Sequence, residues 1–156
     1  MSEIERSFLI ERDPPVAARG VERIEQGYVA IDRDGTEVRI RRRGSALTLT
    51  VKSPDQGLIR VEEEVTVDEE RFERLWPLTV GRRIVKDRHL FGLADGLTAE
   101  LDVYADGLAG LRVVEVEFAS EQDAERFRVP DWFGPEVTLD QRYRNRELAV
   151  HGPPSG

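Results

Sequence analysis

Pairs of like charge spaced two residues apart recur along this chain, and they constrain its fold more than any other feature. Between Gly81 and Glu117 the sequence reads GRRIVKDRHLFGLADGLTAELDVYADGLAGLRVVEVE, in which Lys86 and Arg88, then Glu100 and Asp102, then Glu115 and Glu117 fall in step. Leu101, Val103, Val114, Val116 and Phe118 take the alternate positions of the last two segments. Side chains alternate across a strand with period two, so these segments read as strands, the last two with one ionic and one apolar face. A sheet built this way has an apolar side to be covered and a charged side to be explained.

The pattern extends in both directions. Residues 2–12 place Glu3, Glu5 and Ser7 on one side and Ile4, Phe8 and Ile10 on the other. The DPPVAARG stretch has turn chemistry and is expected to hold a short helix before VERIEQGYVAI. Tyr28 to Asp32 reads as a strand, with Arg33-Asp34-Gly35 as a hairpin turn. EVRIRRRG then sets Val38 and Ile40 against Arg39 and Arg41, with Arg43 in the same parity. SALTLTVKS opposes Leu47, Leu49 and Val51 to Thr48, Thr50 and Lys52, and LIRVEEEVTV puts Arg60, Glu62 and Glu64 on one face. Asp68 and Ser120 read as caps of two short amphipathic helices, and DQRYRNRELAV as a short helix or turn. Residues 1–150 form one expected domain, and the HGPPSG tail, 151–156, is expected to be disordered.

Composition narrows the classes of function. A chain of 156 residues suits one domain with a sizeable core. Its net charge of −8 argues against a nucleic-acid binder, which needs a dominant basic field. The absence of cysteine removes disulfides, zinc–thiolate sites and cysteine nucleophiles together. The N-terminus lacks a signal-peptide pattern, and no apolar run approaches the roughly 20 residues that span a bilayer. The expectation is a soluble cytoplasmic protein, monomer or homodimer, with neither nucleic acid nor membrane as partner.

Eight strands in mostly hairpin succession with a few helices predict an antiparallel α+β domain. Its ionic face either lies in water or becomes the lumen of a curled sheet whose apolar outside is covered by helices and loops. An eight-stranded barrel of that kind is wide enough to hold one small ligand. Opposite charges about 4 Å apart interact by about 4 kcal/mol at an effective dielectric of 20, so enclosed charges demand partners. Internal ion pairs answer part of that demand. A hard cation such as Mg²⁺ or Mn²⁺ on the carboxylates, with a polyphosphate on the Arg and Lys pairs, answers both signs, and the pattern favours it.

The chain also resembles a known family. EIERSFLI is similar to the opening of the CYTH, or triphosphate tunnel metalloenzyme, superfamily, whose signature is Glu-x-Glu-x-Lys. The resemblance continues in order through EVRIRRRG, LTLTVKS, LIRVEEEV, LTVGRRIVKDRH, AELDVY, LAGLRVVEVEFAS and EVTLDQRYRNRELA, with the flavour of the short bacterial tripolyphosphatase-like branch. It implies an eight-stranded antiparallel tunnel. Carried over residue by residue, it makes Glu3, Glu5 and Glu117 metal ligands, with Glu62, Glu64, Asp102 and Glu115 lining the acidic side. Arg39, Arg41, Lys52, Arg60, Lys86 and Arg88 become the triphosphate cradle, and Lys86, Glu5 and Glu117 the expected catalytic residues. The implied chemistry is metal-dependent hydrolysis of a phosphoanhydride.

One position departs from the signature: Ser7 stands where the family has lysine. Either Lys86 or a metal-bound water then takes up that lysine's role, or hydrolysis is impaired. Three readings follow: a metal-dependent triphosphatase, a non-catalytic polyphosphate-binding module, and an adenylyl cyclase-type lyase, the first favoured. His89, His151, Trp76 and Trp132 are read as having no part in the chemistry, both tryptophans as packing residues.

Overall fold

A computed structural model describes residues 4–54 and 61–155, so the expectations for Glu3 and Arg60 lie outside the described residues. Its strands are β1 (Ile4–Leu9), β2 (Gly20–Ile31), β3 (Glu37–Arg43), β4 (Ala46–Lys52), β5 (Glu62–Thr66), β6 (Arg83–Gly92), β7 (Thr98–Tyr104) and β8 (Arg112–Phe118). The described residues also form three short α-helices, α1 (Glu69–Leu75) and α2 (Glu121–Arg126) after the two capping residues, and α3 (Asn145–His151). The Asp68 carboxylate accepts from the Arg71 amide at the start of α1, and the Ser120 hydroxyl from the Asp123 amide at the start of α2. All strands join one antiparallel sheet in the order β1-β8-β7-β6-β2-β3-β4-β5.

The expected apolar outside is present and covered. Phe8, Phe91, Leu101, Val114, Val116 and Phe118 form one cluster beneath Phe127, Trp132 and Phe133. Ile40 and Leu47 form another beneath Phe72, Leu75 and Trp76 of the α1 region. Trp76 stacks on Phe72, and Trp132 packs edge-on to Phe91, so both tryptophans are packing residues. Gly27 permits the close approach of the turn after α1: a Cβ there would lie 2.6 Å from the Thr79 side chain.

The other face curls into a concavity. On a flat sheet its charged side chains would be in water, yet Lys86 is only 3% exposed, Asp102 1% and Arg39 9%. A bulge between Tyr28 and Ala30 adds local twist in β2. A third cluster, Tyr28, Ile84, Tyr104 and Val113 with Leu9 beside it, lies on this inner face and meets Leu148 and Ala149 of α3. Burying an aliphatic side chain such as Leu148 contributes about 1.5–3 kcal/mol, enough to hold a two-turn helix across one end. α3 ends on His151, the first residue of the expected tail, which lies 3.4 Å from Glu147.

One expectation needs correction. Residues 11–19 form bends and extended links, with no helix among them. Two successive prolines, Pro14 and Pro15, deny that stretch the amide hydrogens that a helical turn needs. The eight-stranded tunnel fold is as expected, although among the described residues no ladder joins its first and last strands. Among the described residues β1 and β5 are edges, because the second side of β1 is taken by residues 134–138. The Leu9 amide donates to the Pro135 carbonyl at 2.9 Å, the Val137 amide to the Ser7 carbonyl at 2.8 Å, and the Gly134 amide to the Leu9 carbonyl at 2.7 Å. With those groups satisfied, β1 has no free edge to offer β5. β5 is exposed throughout, and its run of Glu62, Glu63 and Glu64 guards the edge against pairing with other chains.

Candidate functional site

Strand register divides the concavity into layers. Val113 lies opposite Asp102, Tyr104 opposite Lys86, Ile84 opposite Gln26, and Tyr28 opposite Arg39. Each residue of the apolar floor therefore faces, on the next strand, a polar residue one step nearer the mouth. That polar layer (Asp102, Lys86, Gln26 and Arg39) is the buried one, none of its members being more than 9% exposed. Two residues further along each strand come Glu100, Arg88, Ile24 and Arg41. On β1 and β8 the same ascent runs from Leu9 and Val113 through Ser7 and Glu115 to Glu5 and Glu117, which are exposed.

The cationic wall rests on β3 and β6. The Lys86 Nζ donates to Asp102 Oδ2 at 2.7 Å and sits 5.4 Å from the Tyr104 ring centroid. Arg88 donates through Nε to Asp102 Oδ1 at 2.8 Å and through Nη2 to Oδ2 at 3.0 Å, and its Nη1 lies 2.7 Å from Glu100. Burial alone would lower the Arg88 guanidinium, but Asp102 and Glu100 raise it above its ordinary value. On β3, burial and then the Arg39 charge hold Arg41 below the ordinary arginine range. The Arg39 Nε is buried without a hydrogen-bond partner, alone in that respect among the described residues. A guanidinium N–H in such a place costs free energy until an acceptor arrives.

The acidic wall rests on β1 and β8. Glu5 lies directly opposite Glu117, and Ser7 opposite Glu115. Burial, and then the charge of Glu5, push the Glu115 carboxyl up to about 7. Burial and the Glu5 charge there outweigh the lowering by Lys86 and Arg88. Exposed carboxylates backed by a half-buried one are hard oxygen donors, and that chemistry fits a divalent cation that keeps part of its water shell. An open cleft of about 390 Å³ adjoins Glu100, Glu117 and the Gly96–Thr98 turn.

Not every expected ligand joins that wall. Glu62 and Glu64 are on the opposite edge strand, Glu62 3.5 Å from Lys52, and Glu64 accepting from the Thr50 hydroxyl at 2.8 Å with Arg41 at 3.9 Å. Among the described residues, no three carboxylate or histidine side chains form a ready-made metal cage. Asp102 binds the cations of β6, and its register partner on β8 is Val113. His89 pairs with Leu101 and Val21, opposite in parity to Lys86 and Arg88, as the alternation predicts.

Sequence reasoning missed Gln26, Tyr28 and Tyr104. The Gln26 side-chain amide donates to the Tyr28 hydroxyl at 3.0 Å, and the Tyr104 hydroxyl donates to Asn145 of α3 at 3.2 Å. Tyr104 carries the signal that could have found it, since it continues the parity of Glu100 and Asp102. The same parity takes Arg43 into the concavity, where its Nε meets Glu22 at 2.6 Å.

Known proteins resemble this chain in sequence and fold. The CYTH domain family model matches residues 1–138. An inorganic triphosphatase of Nitrosomonas europaea is 46% identical over 153 residues, covering 98% of this chain and all of that protein. An inorganic triphosphatase of Acetivibrio thermocellus is 36% identical over 148 residues, covering 94% and 92%. The crystal structure of the inorganic triphosphatase NE1496 superimposes with a TM-score of 0.83 at 42% identity, covering 99% of this chain and 98% of that one.

Proposed function

The chain belongs to the CYTH domain family, and from that premise we propose that it is a metal-dependent triphosphatase that hydrolyses inorganic tripolyphosphate within the concavity. The observation that carries this reading is the orphaned Arg39 Nε, buried in the same layer as Lys86 and one residue from Arg41 in strand parity. A polyanion supplies the missing acceptor. Both relatives named above are inorganic triphosphatases, which supports the same substrate class. The aromatic side chains on the inner face, Tyr28 and Tyr104, are packed into the floor against α3, and neither is placed to stack on a base.

In this reading Arg39, Arg41, Lys86 and Arg88 bind and orient the phosphates, and Lys52 extends the cradle toward β5. Glu5 and Glu117, backed by Glu115, would hold Mg²⁺ or Mn²⁺. The ion's contribution is to neutralise charge on phosphate oxygens. Phosphoryl transfer depends mostly on positioning and electrostatics, so fixed guanidinium and ammonium groups aimed at the leaving phosphate supply what the chain itself must provide. The apolar floor and α3 exclude water from behind, leaving attack from the mouth side. Among the described residues no helix is long and apolar enough to cross a membrane, and a cytoplasmic location is part of the proposal.

The test is phosphate release from tripolyphosphate, ATP, thiamine triphosphate and pyrophosphate, each with Mg²⁺ and with Mn²⁺. Tripolyphosphate is expected to be the best substrate, and no release from any of the four with either metal would reject the reading.

Ser7 favours a second reading. It sits opposite Glu115 without offering a cation, so the deep end of the acidic wall lacks the charge that the family's lysine brings. A protein that binds tripolyphosphate without turning it over would fit that deficit. Ser7→Lys separates the two. If the native chain is a binding module, the substitution is expected to raise phosphate release by about tenfold or more. If the native chain is already competent, the gain stays within a few-fold.

A further inference from the structure

We propose that Asp102 is a positioning residue, fixing Lys86 and Arg88 for the incoming polyphosphate, and that it holds no metal. The proposal rests on the triphosphatase reading above and reassigns a carboxylate that the sequence places among the metal-lining acids.

The geometry carries it. Asp102 is 1% exposed, and both of its oxygens are occupied: Oδ2 by the Lys86 Nζ at 2.7 Å and Arg88 Nη2 at 3.0 Å, Oδ1 by Arg88 Nε at 2.8 Å. An ionised carboxylate offers about four acceptor positions, and three are filled by donors that carry positive charge. A metal ion brought to the remaining position would have to compete with two cations already bound to that carboxylate. Glu5 and Glu117, by contrast, are exposed and opposed to each other on neighbouring strands. Burial alone would raise the Asp102 carboxyl, yet Lys86 and Arg88 hold it below the ordinary carboxylate range, so it remains an anion for them.

What Asp102 does follows from its two partners. Lys86 has three N–H donors and spends one on Asp102; Arg88 has five and spends two on Asp102. The unspent donors are held on the tunnel face by a pivot that cannot itself move, because it is packed between β6 and β8. Charges of like sign in β6 would otherwise spread apart, and the long Lys86 and Arg88 stems would lose the shared geometry that a phosphate requires.

The test compares the wild type with Asp102→Asn and Glu117→Gln, each checked for folding by thermal melting. Mn²⁺ alone is followed by electron paramagnetic resonance, and tripolyphosphate alone by calorimetry with chelator present. Asp102→Asn is expected to keep the wild-type Mn²⁺ affinity within about twofold and to lose about tenfold or more in tripolyphosphate affinity. Glu117→Gln is expected to lose Mn²⁺ affinity. An Asp102→Asn protein that loses Mn²⁺ as Glu117→Gln does, or that binds tripolyphosphate like the wild type, overturns the proposal. Should Asp102→Asn not fold, Lys86→Met/Asp102→Asn removes one cation along with the anion. Its tripolyphosphate affinity is then expected to fall below that of Lys86→Met alone, because Arg88 loses its anchor, with Mn²⁺ affinity intact; an affinity equal to that of Lys86→Met alone, or a loss of Mn²⁺, overturns the assignment. A wild type that binds tripolyphosphate but never hydrolyses it rejects the triphosphatase reading and leaves Asp102 where it is; a wild type that binds no polyanion overturns both.

Discussion

Glu5→Ala is expected to abolish metal-dependent phosphate release from tripolyphosphate. Glu5 stands at the mouth opposite Glu117, and its charge presses on Glu115 strongly enough to be the largest electrostatic contribution raising that carboxyl. Removing it takes away one of two exposed hard oxygen donors on the acidic wall. Losing a residue that merely supports a metal ligand costs roughly 10–100-fold in affinity or activity, and losing a ligand itself should cost more. The fold should tolerate the change, because Glu5 is exposed while the apolar neighbours Ile4 and Phe8 point to the opposite face. The measurement is phosphate release across a Mn²⁺ titration. The expected result is a loss of at least about 10²-fold at the wild-type optimum, partly recovered at high metal concentration. Activity within twofold of wild type at every metal concentration would remove Glu5 from the site.

How much of this was legible in the sequence depends on what alternation can and cannot say. It assigns faces, and for β3, β4, β6, β7 and β8 it assigns them correctly, because those strands keep their paired charges or hydroxyls inward, joined at the floor by Ile84, Tyr104 and Val113. β2 breaks the rule. It turns Ile24 and Tyr28 inward along with Glu22 and Gln26, while Arg23 and Glu25 point out, so its first half gave no clear parity. The floor accounts for Tyr28, because an end that must be sealed against water needs apolar groups inside, whereas Ile24 lies above it in the layer of Arg88 and Arg41. Register is also invisible to alternation, since shifting a strand by two residues leaves the faces unchanged. That is why Asp102 reads as one more acid beside Glu115. Only the pairing of Arg88 with Asp102 reveals a carboxylate enclosed by cations. The missing β1–β5 ladder has a similar origin, because nothing in residues 134–138 announces a partner for β1.

Lys86→Met is expected to lower kcat for tripolyphosphate by about 10²–10³-fold, the range seen when one preorganised donor to a developing charge is removed. Methionine keeps most of the volume and the contact with the Tyr104 ring while deleting the ammonium group. The residue is 3% exposed, so no water stands ready to replace the lost charge. Breaking a buried ion pair ordinarily destabilises by about 3–5 kcal/mol, because the abandoned partner is left charged and unpaired. Asp102 is not abandoned here: two donors from Arg88 remain on it at 2.8 and 3.0 Å. The stability cost should therefore fall below that range, and a thermal melt separates it from the catalytic loss. Lys86→Arg keeps the charge but replaces a compact ammonium with a planar fork that does not fit beside Arg88, so it should restore stability more fully than rate. The discriminating result is the ratio of the two effects. A Lys86→Met protein that melts like the wild type and turns over within a few-fold of it would show that the deepest cation of the tunnel contributes to neither the fold nor the reaction. The rate support would then have to come from Arg39, Arg41 and Arg88 alone.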